Sequence, residues 1–324
     1  MKILNSISEL KDVPGPVFLA IGVFDGVHLG HRAVIERVVA DARAANGTTV
    51  VVTFNPHPMR VMRPENAPRL LTSTRHKIAL MRALGATHLL VIPFDREFAD
   101  MPPEEFIRQL SDTCKPLREI CVGHQWSFGK GRAGNLELMK IWGDRLGFDE
   151  IGIPAVEIDG QVVSSTLIRS AVERGDLDLA ARLLGREYTV LGTVIEGDHL
   201  GRQLGFPTAN LSAHNEQFPP NGVYAVEAVC REKKYRGVVN IGIRPTIYDK
   251  AGQRLLEIHL FDFDENIYGE DIEVFFRRFI RSEQKFATID ELKARIARDC
   301  EEAHIETREL LKNEPACDSH PKRS

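Results

Sequence analysis

The sequence predicts two fold classes in succession: a parallel, doubly wound α/β sheet, then a small antiparallel β-barrel or sandwich ending in a long helix. Three observations carry this reading. Apolar runs alternate with amphipathic stretches as far as about residue 185, which is the β-α-β-α-β order of a parallel sheet. From about Tyr188 the chain changes to short β-rich stretches separated by Gly, Pro, Asn and Asp turns. The 324-residue length exceeds the usual single-domain range, so two cores are expected.

In order, "VFLAIGVF" (Val17 to Phe24) reads as a buried strand and "GHRAVIERVVADARAANG" as an amphipathic helix closed by Gly47. "TTVVVTF" reads as the next strand. "TSTRHKIALMRALG" offers Ser or Thr as an N-cap and Gly85 as its stop, and the strand "THLLVIPF" follows. "MPPEEFIRQL" places prolines and glutamates where a helix start favours them, and "REICVG" returns to the sheet. "SSTLIRSAVERGDLDLAARLLG" reads as two short helices stopped by Gly175 and Gly185. The second half offers "LGTVIEG", "GVYAVEAVC", "KKYRGVVNIG", "RLLEIHLFDF" and "DIEVFFRRFI" as strands, and "TIDELKARIARDCEEAHIETRELLK" as the final helix. The expected division is residues 1–185, residues 186–312, and a disordered tail over 313–324.

The net charge of -4 gives no general attraction to nucleic acid or anionic lipid, so small molecules are the expected partners. Cys114, Cys121, Cys230, Cys300 and Cys317 are odd in number and never spaced C-x-x-C. That excludes a recognisable disulfide or zinc framework and fits a reducing, cytoplasmic setting. No apolar run approaches the roughly 18 residues of a membrane helix.

The stretch "GVFDGVHLGH" (Gly22 to His31) falls at the first strand-to-helix turn, where such sheets bind ligands. By its residues it is a metal site, a phosphate cradle or only a turn. Gly22, Gly26 and Gly30 permit close approach, the helix start suits an anion, and His28 and His31 offer imidazole donors whose protonated form a negative ligand would favour. A metal would need further ligands, and none stands at a recognisable spacing. In "VSSTLIR", Ser164, Ser165 and Thr166 offer caps, and Arg169 can project a bidentate phosphate donor. Gly129, Lys130, Gly131 and Arg132 form either a mobile basic loop or a solvated turn. In the second half, "GTVIEGDHLGRQLGFPTANL" is a Gly-rich stretch able to wrap a nucleotide, with Thr208 and Asn210 as hard oxygen ligands suited to magnesium.

These segments together resemble the bacterial bifunctional riboflavin kinase/FAD synthetase family. "G-x-FDG-x-H-x-GH", "TFNPHP" (Thr53 to Pro58) and "VSSTLIR" stand in family order in the first half, and the first of these is similar to the HxGH motif of α/β nucleotidyltransferases. "GFPTAN", "PPNGVYAV", "GVVNIGIRPTI" and "LEIHLFDFDENIYGE" follow in the second. The resemblance implies a Rossmann-like nucleotidyltransferase-type sheet followed by a flavokinase barrel. It implies two reactions: ATP phosphorylates riboflavin to FMN, with ADP released, and a second ATP adenylylates FMN to FAD, with pyrophosphate released. Mg2+ would accompany ATP.

It assigns Glu257 as the kinase base, and His28, His31 and Arg169 to adenylyl transfer. Gly22, Phe24, Asp25, Gly26, Gly30, Ser164, Ser165, Thr166, Gly201, Gly205 and Pro207 would hold nucleotide or phosphate. Asn55, His57, Pro58, Gln125 and Trp126 would touch flavin, and Thr208 and Asn210 magnesium. One segment departs from the family pattern V-G-x-D/N-F-x-FG: "VGHQWSFGKGRAG" carries Gln125 for the acid or amide and Trp126 for Phe. The alternative this raises is a riboflavin kinase with a degraded first domain. No nucleic acid or membrane partner is implied, and self-association stays open.

Overall fold

The computed structural model describes residues 1–197, 201, 204–243 and 254–313. Residues 314–324 of the predicted tail over 313–324, parts of the Gly-rich stretch and the "RPTI" of the third barrel motif lie outside the described residues. The chain separates into two compact units: Met1–Ala171 with Asp178–Arg186, and Val172–Leu177 with the chain from Glu187 onward.

The first unit is built on a six-stranded sheet in the order β1-β4-β3-β2-β5-β6, every neighbouring pair parallel. The strands are β1 (Lys2–Leu4), β2 (Val17–Ile21), β3 (Thr48–Asn55), β4 (His88–Pro93), β5 (Leu117–Gly123) and β6 (Asp149–Ile153). β2 is buried throughout and β3 over all but its last residue, because helices cover both faces; this is why both read as unbroken apolar runs. Two core clusters result, one centred on Leu19, Val52 and Leu110 and the other on Ala20, Ile35 and Met81.

The helices are α1 (Leu29–Ala44), α2 (Pro58–Met62), α3 (Thr74–Ala83), α4 (Arg96–Ala99), α5 (Pro103–Thr113), α6 (Leu136–Leu146), α7 (Ser165–Glu173) and α8 (Leu177–Leu184). The caps follow side-chain chemistry: Ser73 accepts from the His76 N–H at the start of α3, and Pro103 occupies the first turn of α5. Gly85, Gly175 and Gly185 take positive φ where the stops were expected. Two expectations need correction. β2 ends at Ile21, before Phe24, whose φ of 50° breaks the strand. Asn46, not Gly47, takes the left-handed position after α1; a Cβ on Gly47 would lie 2.5 Å from the Pro16 carbonyl oxygen, so that glycine serves a close approach.

Two short strands, β7 (Glu157–Ile158) and β8 (Gln161–Val162), form a separate hairpin. The second unit is a closed barrel, which settles the barrel-or-sandwich question. Its strands are β9 (Thr189–Ile195), β10 (Ala209–Ala213), β11 (Gly222–Cys230), β12 (Lys233–Ile243), β13 (Arg254–Leu260) and β14 (Asp271–Arg281), in the order β10-β13-β12-β11-β14-β9. β10 and β9 pair antiparallel and close the ring, so the sheet has no free edge. The last helix, α9 (Ile289–Asn313), packs on β11, β12 and β14. Arg281 and Arg295 hold the buried Asp299 carboxylate there, the Arg281 contact at 2.8 Å. Among the described residues no helix is long and apolar enough to cross a membrane.

Candidate active sites

From β2 the chain adds β3 and β4 on one side and then crosses back to add β5 and β6 on the other. The C-terminal end of β2 is therefore the switch point where open α/β sheets form a crevice. The turn there is held from every side. Phe24 and Val27 take φ of 50° and 43°, unusual for residues with bulky side chains, and Gly26 takes 88°. The Asp25 carboxylate, only 2% exposed, accepts the Leu71 and Thr72 N–H groups, the Thr72 hydroxyl and the Arg169 guanidinium at 2.9 Å. Thr72 Oγ1 accepts the Gly26 N–H, Ser165 Oγ donates to the Asp25 carbonyl, and Arg186 donates to the Gly26 and Val27 carbonyls. These fasteners hold the strained turn in one shape.

The two histidines stack face to face, 3.6 Å between centroids, and Phe24 meets His31 edge-on. His28 is the N-cap of α1: its Nδ1 accepts the His31 N–H. His57 does the same for α2 through the Met59 N–H. A ring nitrogen that accepts carries no proton, so in the neutral form Nε2 of each is the donor. Burial, with smaller contributions from Arg186 and Arg169, brings His28 down to about 4, although Asp25 opposes it. Burial likewise brings His57 to about 4 and puts His31 well below the ordinary range. In the free protein burial therefore favours the neutral rings, because buried charge costs more than Asp25 returns.

A cleft of about 650 Å³ opens over this turn. Gly22, Phe24, Asp25, His28, Gly30, His31, His57, Gln125, Trp126, Ser164, Ser165, Thr166 and Arg169 line it, brought together from the ends of β2, β3 and β5 and the start of α7. Gly26, Asn55 and Pro58 do not line it. Asp25 lines the cleft, and its oxygens also fasten the turn by accepting the Leu71, Thr72 and Arg169 donors. Arg169 is not a freely projecting fork: it spans Asp25 and the Arg69 carbonyl. Ser164 Oγ caps α7 by accepting the Leu167 N–H.

Trp126 stacks on Phe128 at 4.4 Å and lines the cleft beside Gln125, so both substituted residues keep a place there. The basic stretch after them docks on Pro103, where a Cβ on Gly129 would come within 2.7 Å. Its Lys130 pairs with Asp100 and its Arg132 with Ser127, and neither lines the cleft. Thr72, Lys77 and Arg186 were missed by the sequence reading. Their partners lie 46, 54 and 160 residues away along the chain, a distance at which local pattern carries no signal.

In the barrel, Glu257 on β13 stands in register with Asn210 on β10 and Asn240 on β12. Strand alternation points His259 the same way. These residues, with Gly201 and Thr208, line a cavity of about 410 Å³ whose apolar wall includes Leu204, Phe206, Val223 and Val238, and which Leu292 and Ile296 of α9 also line. A neighbouring groove of about 320 Å³ holds Pro207, Thr208 and Tyr268, so Thr208 borders both spaces. His259 Nδ1 donates to the Pro207 carbonyl at 2.7 Å, tying the "GFPTAN" loop to the strand that bears Glu257. A Cβ on Gly201 would lie 2.5 Å from the Phe206 carbonyl oxygen, and one on Gly197 would overlap the Asn210 amide. Gly205 takes φ of 88° and lines neither space. Of the aromatic stretch "VFFRRFIRSEQKF", Phe286 reaches the cavity, while Phe276 is buried and Phe279 exposed. Among the described residues no three His, Cys, Asp or Glu side chains are grouped to hold an ion by themselves.

A family model described as FAD synthetase matches residues 10–167, and one described as riboflavin kinase matches residues 184–306. A curated bifunctional riboflavin kinase/FMN adenylyltransferase from Escherichia coli strain K12 is 40% identical over 302 residues, covering 92% of this chain and 96% of that protein. One of the same name from Bacillus subtilis strain 168 is 38% identical over 300 residues, covering 91% and 93%. Among solved structures, a Streptococcus pneumoniae chain described as a macrolide-efflux protein matches with a TM-score of 0.77 and 27% identity, covering 97% of this chain and all of that one.

Proposed function

The chain belongs to the bifunctional riboflavin kinase/FMN adenylyltransferase family, and from that premise we propose how its two sites divide the work. The protein is an enzyme of flavin cofactor synthesis: it phosphorylates riboflavin with ATP to give FMN, then adenylylates FMN with ATP to give FAD and pyrophosphate. The observation that carries the assignment of residues is the pair of separate clefts, each lined by one unit's own motifs.

In the barrel cavity, Glu257 takes the proton of the ribityl 5′-hydroxyl as its oxygen attacks the γ-phosphorus of ATP; the bond to the β-phosphate oxygen breaks and ADP leaves. The apolar wall suits the isoalloxazine ring and the groove past Thr208 suits the nucleotide, so on this reading the transferred phosphoryl lies near Thr208, which borders both spaces. Magnesium is part of this proposal. Thr208, which borders both spaces, and Asn210 in the cavity offer hard oxygens of the kind a cation shared with phosphates takes. Bound there, it would offset the charge of the triphosphate.

In the sheet cleft, an FMN phosphate oxygen attacks the α-phosphorus of ATP and the bond to the β-phosphate bridge breaks, releasing pyrophosphate. FMN phosphate is already a nucleophile, so the protein's task is alignment and stabilisation of developing charge. His28 and His31 at the helix start, and His57 opposite, serve as donors; Gln125 and Trp126 border the flavin. Free Cys114, Cys121, Cys230 and Cys300 support a cytoplasmic setting.

Reciprocal variants test the division. His31→Ala lowers FAD formation from FMN by about 100-fold to 1,000-fold and leaves FMN formation intact, the usual effect of deleting one charge-stabilising donor. Glu257→Gln abolishes FMN formation and spares FAD formation from supplied FMN. Equal loss of both activities in either folded variant contradicts the assignment.

A further inference from the structure

Lys77 is a charged group beside the sheet cleft to which the two reactions assign no task. It sits on α3, is 5% exposed, and its ammonium donates to the Val23 carbonyl at 2.8 Å. The Thr53 hydroxyl donates to the same oxygen from β3 at 3.0 Å. Val23 immediately precedes Phe24, the first left-handed residue of the phosphate turn, so this doubly bonded carbonyl is the root of the turn. A lysine buried this far is costly, and burial depresses its basicity; Asp25 compensates in part, while that carboxylate's oxygens are filled by Leu71, Thr72 and Arg169. A cation kept at such a cost beside a triphosphate cleft calls for a function.

The histidines supply one. His28 and His57 keep their caps only while Nδ1 is unprotonated, and in that state Nε2–H is the phosphate donor. A proton on Nδ1 would break the cap. The charged groups facing these rings are Asp25 in the turn, Arg60 on α2, Arg169 on α7, Arg186 after α8, and Lys77 on α3. Asp25 favours the imidazolium; the cations oppose it, and Lys77 acts on both His31 and His57.

We propose that Lys77 is a positioning residue for adenylyl transfer, an internal cation that fixes the Val23 carbonyl at the root of the turn. From there its charge keeps His57 in the neutral form that caps α2 and donates to phosphate, and keeps His31, stacked on His28, neutral as well. The second half of the statement rests on the adenylyl-transfer reading of the cleft; the first does not.

The test uses the full chain with Lys77→Met, which removes charge and hydrogen bond, and Lys77→Gln, which keeps an N–H donor for Val23 without the charge. Histidine ring signals are titrated by NMR in the free protein, and FAD formation from FMN and ATP is measured against pH. Removing a nearby like charge raises a histidine's pKa, so in both variants His31 and His57 titrate higher, by up to about one pH unit. The acidic limb of kcat/KM for FAD formation moves upward with them, and riboflavin phosphorylation is unchanged. A folded variant whose histidine titration and acidic limb both match the parent overturns the proposal, as does a uniform loss of rate with an unmoved limb. If the titrations move but the parent makes no FAD, the adenylyl-transfer reading fails and the electrostatic role stands.

Discussion

Glu119 shows how one residue can set a pH dependence that neither catalytic site needs. It lies on β5 in register with Asp149 of β6, is 5% exposed, and its Oε1 is buried without a hydrogen-bond partner. Burial first and Asp41 of α1 second push its carboxyl up to about 7, against the opposing charge of Arg37. A carboxyl raised in the folded state contributes stability that is present below its unfolded pKa of about 4.3 and is lost as pH rises through about 7. Glu119→Gln therefore melts close to the parent at pH 5 and above it at pH 8. Melting curves across that range check this; a gap that does not widen with pH contradicts it.

At the same scale, the sequence pointed to His28 and His31 because their spacing and place after a strand are local features. It gave no sign that the rings are neutral in the free protein, because burial and distant cations decide that. It named Asp25 and Arg169 for phosphate and gave no sign that the two bond to each other across 144 residues of chain. Breaking that pair with Asp25→Ala strands a guanidinium that is only 16% exposed, and costs the first unit about 3–5 kcal/mol in urea unfolding. A loss within about 0.5 kcal/mol would show the turn is fastened by its other bonds alone.

Among the elements, the loop leading to β10 carries the most constrained geometry of the kinase site. The Gly201 carbonyl accepts the Leu204 and Phe206 N–H groups, folding the loop back so that Thr208 reaches the cavity. Gly201→Ala puts a methyl against the Phe206 carbonyl, a backbone atom that cannot swing aside. FMN formation falls about 10-fold or more on the reasoning that small misplacements at a reacting centre are costly, while FAD formation from FMN persists. An unchanged kinase rate would show that the loop tolerates the shift.

The elements most legible in the sequence were those with strong local grammar. β3 is a run of valines and threonines, α5 opens on proline and glutamates, and α7 and α8 end at glycines. β1, β10, α2 and the strand-helix pair of β6 and α6 were not foreseen as elements. β1 and β10 are three and five residues long, too short for a period to register, and β10 was read only as part of a nucleotide motif. The ring closure of the barrel is also a pairing between distant strands, which no single segment encodes.

At the scale of the whole molecule, one chain carries two ATP-using clefts of different architecture, and the product of one is the substrate of the other. On the proposed assignment, the parallel sheet offers a helix start with neutral imidazole donors to an anion already able to attack. On the same assignment, the barrel offers a carboxylate in a partly apolar cavity to a hydroxyl that must first lose its proton. The two steps so assigned make different chemical demands, and each unit meets one of them. Product analysis of the intact chain with riboflavin, ATP and magnesium tests this account most directly. It predicts FMN with ADP first, then FAD with stoichiometric pyrophosphate. FMN accumulating as the end product, with no pyrophosphate released when FMN itself is supplied, would contradict it.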